Sequence, residues 1–364
     1  MDPHLQQRQD LRRRRRADRP GRVPGQAGHP VTWGALAANI AGVRNVQHAV
    51  LTFCGTWGTP GTQYPSDTVN GLAEFVDDGL CYEVPVPYPA SFGPIGGPAG
   101  SLSYQESVTV AENWAASWIQ ANPVQTFILG GYSQGAEAAS RLTIRLMSGD
   151  LQEFLPNFIG GYTFGNPCRM AGAHAPTIAD PGGRGISSVN MTELPTIDGR
   201  VVWADYVHSP ANGDAGLDMY ASVPVGPAGD DMTLVYGTAT NVQLHNLGAL
   251  TTTIVDALIA GVHDLGIMPG VSAQSMITSA PADLLGVLTG LVTGQQSAPT
   301  NIVAGGTYAI EAAIDGIKFL AAPGGPTAPH ISYLGEIGGY SNLVADAVGF
   351  LHDLATAVPA RCAA

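Results

Sequence analysis

The five residues Gly131-Tyr-Ser-Gln-Gly135 constrain this chain more than any other segment. They follow Gln125-Thr-Phe-Ile-Leu129, an apolar, β-branched and aromatic run that reads as a buried strand, and they lead into Ala136 to Met147, which reads as a helix. A serine placed between a strand's end and a helix's start, with a glycine two residues to either side, fits a very sharp turn. Any side chain at those glycines would strike the neighbouring strand or helix. Such a turn raises the Ser133 hydroxyl above the sheet. The alternative is an ordinary glycine-rich strand-to-helix turn with a capping serine. The strand–turn–helix setting, not the five letters alone, makes the signal specific.

The surroundings repeat the same alternation. His48-Ala-Val-Leu-Thr-Phe-Cys54 reads as a buried strand that stops at Gly55, and Cys81 to Tyr88 as an irregular strand interrupted by prolines. Phe158 to Phe164 and Val201 to Tyr206 read as two more. Between Ser103 and Asn122 apolar residues recur at helical spacing, as they do from Ser341 to Ala357; Trp33 to Arg44 fits a short helix. Strands alternating with helices predict a mainly parallel central sheet covered on both faces. Residues 1–30 are Arg-, Pro- and Gly-rich and read as a disordered arm, and 31–224 as the first part of the sheet domain. Residues 225–325 hold three aliphatic segments of helical spacing, near Asn241–Leu265, Ala273–Thr293 and Ile302–Ala321, and read as a helical insertion. The sheet domain closes with 326–364.

Composition removes several classes of function. Hydrophobic residues make up 45% of the 364 and charged residues 12%, which suits a globular protein with at least one large core. No apolar run reaches the roughly 20 residues needed to cross a bilayer; Asp256, His263, Asp264, Asp283 and Lys318 interrupt the longest ones. The first 22 residues hold eight arginines against Asp2, Asp10 and Asp18, so the rest of a chain of net charge −13 is strongly acidic. An acidic body argues against nucleic acid as a partner. The arginine run reads as a solvated tail, with a tether to nucleic acid or an envelope as the alternative; no apolar segment follows it as in a secretory signal. Cys54, Cys81, Cys168 and Cys362 show no C-x-x-C spacing, so no metal site is expected. If their two strands are parallel neighbours, Cys54 and Cys81 lie at opposite ends and cannot form a disulfide.

A serine on such a turn points to the α/β-hydrolase fold, where an acid and then a histidine follow the nucleophile in chain order. The loop after Trp203–His208, Ser209 to Met219, offers Asp214 and Asp218 as the acid. His4, His29, His48, His174 and His208 come too early to be the base, and His245 and His263 fall in the insertion. His352 lies within the final helix and reads as structural. His330, in Pro326-Thr-Ala-Pro-His-Ile-Ser332, lies on a loop, where a base can reach a serine hydroxyl. The backbone N–H of Gln134, at the helix N-terminus, and that of Thr56, in the loop after the first strand, are the candidate oxyanion donors. The Thr56 loop can equally be a simple turn.

These pieces resemble a known family, the mycobacteriophage lysin B enzymes, which are cutinase-like and hydrolyse the ester joining mycolic acids to arabinogalactan. The resemblance rests on Gly131-Tyr-Ser-Gln-Gly-Ala136, Phe164-Gly-Asn-Pro-Cys-Arg169, Asp205-Tyr-Val-His208, Asp218-Met-Tyr-Ala221 and Pro329-His-Ile-Ser-Tyr333, and it runs from about residue 47 to 358. It implies a cutinase-like α/β-hydrolase with a helical linker subdomain and a triad of Ser133, Asp218 and His330. Asp218 is preferred because the acid stands directly before the Met-Tyr pair. It further implies a phage-encoded monomer that needs no cofactor and acts on a long-chain acyl ester at the outer mycolate layer of the host envelope. Two departures stand out: the first loop begins Phe53-Cys-Gly-Thr, where the family often has a histidine before Gly-Thr, and the arginine-rich arm is not a family feature. The rival readings are a general cutinase, lipase or acyltransferase, and a phage structural or attachment protein on a hydrolase-like fold.

Overall fold

All six residues of His48–Phe53 are buried and form strand β1. A strand buried on both faces must lie inside a sheet that has helices above and below it. Its side chains divide accordingly: Ala49, Leu51 and Phe53 enter one hydrophobic core and Val50 the other. The computed structural model describes residues 46–77, 79–93, 98, 100–240 and 327–362. After β1 come helix α1 (Gln63–Phe75), strand β2 (Cys81–Pro85), helix α2 (Tyr104–Ala121), strand β3 (Phe127–Tyr132), helix α3 (Gln134–Ser148) and strand β4 (Phe158–Phe164). The short strands β5 (Thr196–Ile197) and β6 (Arg200–Val201), strand β7 (Trp203–Tyr206), helix α4 (Pro227–Thr240) and helix α5 (Leu343–Ala357) complete the order. Five strands form one parallel sheet, β2-β1-β3-β4-β7. With a serine between β3 and α3, this is the α/β-hydrolase architecture.

Two cores hold the layers together. Val108, Ala111, Ala115 and Ile119 of α2 join Ala138, Leu142 and Leu146 of α3 over Leu51, Phe127 and Leu129. On the opposite face Val69 and Leu72 of α1 and Leu343, Phe350, Leu351 and Leu354 of α5 cover Val50, Ile128, Tyr162 and Phe164. Each fully buried Leu, Ile or Phe contributes roughly 1.5–3 kcal/mol, whereas a helix cap contributes about 1. The cores therefore outweigh the Ser103–Glu106 capping box that starts α2. Strand β4 changes face midway. Its register slips beside Phe127 and Ile128, and Gly160 adopts φ 141°. Phe158 consequently points into the first core, and Tyr162 and Phe164 into the second.

The structure departs from the sequence reading in three places. Helix α1 has no counterpart there: its first turn, Gln63-Tyr-Pro-Ser, carries no acidic residue and Thr62 makes no side-chain cap. The predicted strand Val201–Tyr206 begins only at Trp203, because Arg200 and Val201 turn back to pair with Thr196 and Ile197. The turn between them, Asp198-Gly199, has φ 50° and 78°, the left-handed pair that a two-residue hairpin requires. Helix α4, Pro227–Thr240, stands before the first predicted aliphatic segment and has no counterpart among the three. The arm 1–30, the Trp33–Arg44 helix and the three aliphatic insertion segments lie outside the described residues.

β1 and β2 are parallel neighbours with His48 opposite Cys81, so Cys54 and Cys81 do lie at opposite ends of the pair. All four cysteines are free. No helix among the described residues is long and apolar enough to cross a membrane.

His48 ties the start of β1 to the end of the chain. Its Nδ1 lies 2.8 Å from Thr126 Oγ1, and its Nε2 lies 3.1 Å from the carbonyl oxygens of both Ala355 and Val358. Carbonyls only accept, so Nε2 carries the proton and Nδ1 accepts the threonine hydroxyl. Burial holds this histidine below its usual pKa, even though the two carbonyls favour the charged form. The unfolded chain therefore takes up a proton near pH 6.5 that the folded chain resists, and stability is lost as pH falls below that value. The urea midpoint should drop between about pH 7.5 and 5.5, and drop less in His48→Gln; an equal drop in both would show that another group governs the acid side.

Candidate active site

The turn at Ser133 is imposed by backbone contact. A Cβ at Gly135 would lie 2.2 Å from the Phe53 carbonyl oxygen and 2.4 Å from that of Cys54, and one at Gly131 would lie 2.6 Å from the Cα of Ala136. With both glycines seated, Ser133 is driven to φ 54°, ψ −119°, a conformation that typically costs about 1–3 kcal/mol for a residue with a side chain. The serine N–H donates to the Phe164 carbonyl (3.0 Å), which fixes the turn against the end of β4. Ser133 is buried to the edge of exposure, at 9%.

His330 comes to this serine from 197 residues away. Its Nε2 lies 2.8 Å from Ser133 Oγ, and its Nδ1 lies 2.8 Å from Asp218 Oδ2. The ring sits between Tyr220, with centroids 4.4 Å apart, and Tyr132, at 5.2 Å. Tyr132 also donates its hydroxyl to the His330 carbonyl (2.9 Å). The Asp218 carboxylate is fully buried and accepts from three donors: His330, the Tyr333 hydroxyl at 2.6 Å, and the Tyr220 N–H at 3.0 Å. Burial pushes its pKa up, but the His330 charge and the hydrogen bonds outweigh that and hold it below the ordinary carboxylate value. An ionised Asp218 can only accept, so Nδ1 carries the imidazole proton and Nε2 is free to take the proton of Ser133.

Asp214, the alternative acid, is placed elsewhere. Its Oδ2 lies 3.1 Å from His208 Nδ1 and accepts from the Ser209 N–H, while Oδ1 accepts from the N–H and hydroxyl of Ser341 (both 2.9 Å). Burial raises its pKa, yet His208, Ser209 and Ser341 together bring it down to about 2. Asp214 therefore anchors the loop it shares with Asp218 to the segment before α5, while Asp218 faces His330. His352, on α5, is partly exposed and lies 3.7 Å from Asp353.

Gln134 follows the serine at the first turn of α3. Its side chain is held by the Ser91 carbonyl (2.8 Å) and the Ser107 hydroxyl (3.4 Å), which leaves its backbone N–H as the group of interest at the helix N-terminus. Thr56 is half-buried, in a loop that packs at its base against Gly135. That loop is pinned by Gly55 N–H to Gln63 Oε1 (2.6 Å) and by Trp57 N–H to the Ala90 carbonyl (2.6 Å).

Several supporting residues carried no role in the sequence reading. Gly165, at φ 56°, packs beneath the Asp218–His330 contact, where a Cβ would lie 2.7 Å from both side chains. Arg169 is fully buried and donates to the carbonyls of Ala221 (2.6 Å), Ala173 (2.6 Å) and Gly182, fastening the loops that carry Asp218. Glu137, buried one turn after Ser133, accepts from Tyr104 of α2 (3.1 Å) and Tyr236 of α4 (2.7 Å) and pairs with Arg141. It links the helix behind the serine to the first helix of the region 225–325. Among the described residues no group of three His, Cys, Asp or Glu side chains could hold a metal ion.

No protein-family model matches the chain, and no curated protein matches it. Among solved structures it is similar to lysin B from Mycobacteriophage D29, with 21% identity over 70% of this chain and 92% of that one, at a TM-score of 0.45. A cutinase-like protein from Cryptococcus sp. is 18% identical over 59% of this chain and 95% of its own, at 0.32. The catalytic core domain of acetyl xylan esterase from Trichoderma reesei is 20% identical over 53% and 95%, at 0.36.

The glycine contacts make a direct prediction. Gly135→Ala should destabilise the fold by about 2–3 kcal/mol, since two backbone carbonyls must move. Gly349→Ala, in α5 with open space around it, should stabilise by roughly 0.5–1 kcal/mol. Urea unfolding of the two variants checks this, and equal effects would contradict the account of the turn.

Proposed function

We propose that this chain is a serine esterase with Ser133 as nucleophile, His330 as general base and Asp218 as the group that orients the base. The observation that carries this reading is the unbroken line Ser133 Oγ–His330 Nε2, His330 Nδ1–Asp218 Oδ2, each step 2.8 Å, ending on a strained turn at a helix N-terminus. In the first half-reaction Ser133 Oγ attacks the ester carbonyl carbon while its proton passes to His330 Nε2. The N–H groups of Gln134 and Thr56 hold the resulting oxyanion. The carbon–oxygen bond to the alcohol then breaks, and His330 returns the proton to the leaving oxygen. Water repeats the sequence on the acyl-enzyme and releases the free acid. Neither half-reaction calls for a metal or an organic cofactor.

The substrate we propose is a long-chain acyl ester of the mycolyl-arabinogalactan type, met at the outer mycolate layer of a host envelope by a phage-encoded enzyme. Support for this finer reading is the motif resemblance together with the aliphatic composition of residues 225–325.

Hydrolysis of p-nitrophenyl esters should be lost in Ser133→Ala and His330→Ala, and should fall by about 10⁴-fold in Asp218→Asn. Asp214→Asn and His352→Ala should keep most of the rate per folded molecule. Equal rates in the native chain and Ser133→Ala, or no turnover in either, would overturn the esterase reading and favour an attachment protein. Free mycolic acid released from purified mycolyl-arabinogalactan decides the substrate. Turnover of short esters alone would point to a general cutinase, and transfer to an added alcohol in preference to water would point to an acyltransferase.

A further inference from the structure

The carboxylate of Asp218 has one more partner than orienting a histidine requires. Tyr333 is fully buried, and its hydroxyl reaches Oδ2, the same oxygen that receives the His330 Nδ1–H. The phenol is 2.6 Å from that oxygen and the imidazole 2.8 Å, so both protons lean on one atom's charge. The second oxygen, Oδ1, is taken by the Tyr220 N–H. Tyr333 is held firmly enough to set this geometry. Its ring stacks on His208 at 4.6 Å and 23°, lies 5.4 Å from both Tyr64 and Phe164, and its carbonyl accepts from the Val344 N–H (3.1 Å).

We infer that Tyr333 is a positioning residue that sets the basicity of His330 through Asp218, a role that rests on the esterase reading above. A hydroxyl sharing Oδ2 draws charge from the carboxylate and weakens its pull on the imidazolium that forms as Ser133 gives up its proton. It also locks the carboxylate rotation, so that Oδ2 and not Oδ1 faces the ring. Burial and the Asp218 charge push the Tyr333 hydroxyl well above its ordinary pKa, so it remains a proton donor throughout the working range. The other groups facing the pair are Arg169, whose charge acts on Asp218, and Tyr132 and Tyr220 around the His330 ring. Beyond Tyr333 stands His208 with its Asp214 partner. Being wholly enclosed, Tyr333 has no surface with which to touch substrate.

Tyr333→Phe keeps the ring and removes only the hydroxyl. We expect kcat on a p-nitrophenyl ester to fall about tenfold with KM unchanged, because the unlocked carboxylate no longer holds the ring in line with Ser133 Oγ, and the acid limb of the kcat/KM profile to move up by about half a unit to one unit, because the unshared carboxylate favours imidazolium more strongly. A merely structural loss would lower the active fraction without moving that limb. An unmoved limb in an active variant, with the native chain active and Ser133→Ala inactive, overturns the role of Tyr333 alone. An inactive native chain overturns the esterase reading instead. Proton NMR follows the pair without turnover: the low-field His330 Nδ1–H resonance, assigned by its absence in His330→Ala, should shift further downfield in Tyr333→Phe, and an unchanged resonance overturns the inference. Should Tyr333→Phe not fold, the native chain should show a slowly exchanging phenolic proton that disappears in Asp218→Ala; its persistence there overturns the inference equally.

Discussion

The contact between two backbones at Gly135 underlies the rest of the site. The first turn of α3 lies against the carbonyls of Phe53 and Cys54 so closely that no side chain fits between them. That approach brings the end of β1, the start of α3 and the loop bearing Thr56 to one place. It also leaves Ser133 no conformation but a strained one. The strain is tolerated because the flanking sheet is buried on both faces and hydrogen-bonded on both sides of β3, so relaxing the turn would disturb far more than one residue. In the proposed esterase role such rigidity is an advantage, since the Ser133 hydroxyl would have little freedom to lose when a substrate arrives.

Around that fixed point, the protein builds much of its electrostatics from buried charged groups that each have several partners. Asp218 has three donors, Asp205 accepts from Thr163, Asn166 and Trp203, and Arg169 spends its guanidinium on backbone carbonyls. An isolated buried charge would be costly, whereas one surrounded by donors or acceptors also fixes the loops that supply them. The loops after β4 and β7 contain little regular structure, and these polar contacts stand in for it.

How much of this was legible in the sequence depended on distance along the chain. The turn at Ser133 was readable because strand, glycines and helix are contiguous, and its partners Gly131 and Gly135 stand at fixed offsets. β1 was readable from its unbroken apolar run and α2 from its helical periodicity. The choice between Asp214 and Asp218 was open to chain order and periodicity, and only the resemblance around Asp218-Met-Tyr preferred Asp218. Both lie in one loop; in the fold Ser341 contacts the first and His330 the second. Tyr333 lies three residues past His330, in plain view, but its role depends on where Asp218 points. Helix α1 escaped notice because its first turn lacks a cap and carries a proline, and tertiary packing against α5 decides its state. The Asp198-Gly199 hairpin was a missed local signal, since that dipeptide is a strong marker of a two-residue turn.

The order in which the chain supplies its parts has a consequence for biosynthesis. Ser133 and Asp218 leave the ribosome long before His330, which must still close a contact across 197 residues. The helix that covers the second core, α5, and the carbonyls that seat His48 come later still. Closing so long a loop carries an entropic cost that only late contacts can offset. A nascent chain therefore holds Ser133 without its His330 contact until the segment carrying His330 and α5 docks. That late segment, and not the turn at Ser133, sets the moment at which these contacts are assembled.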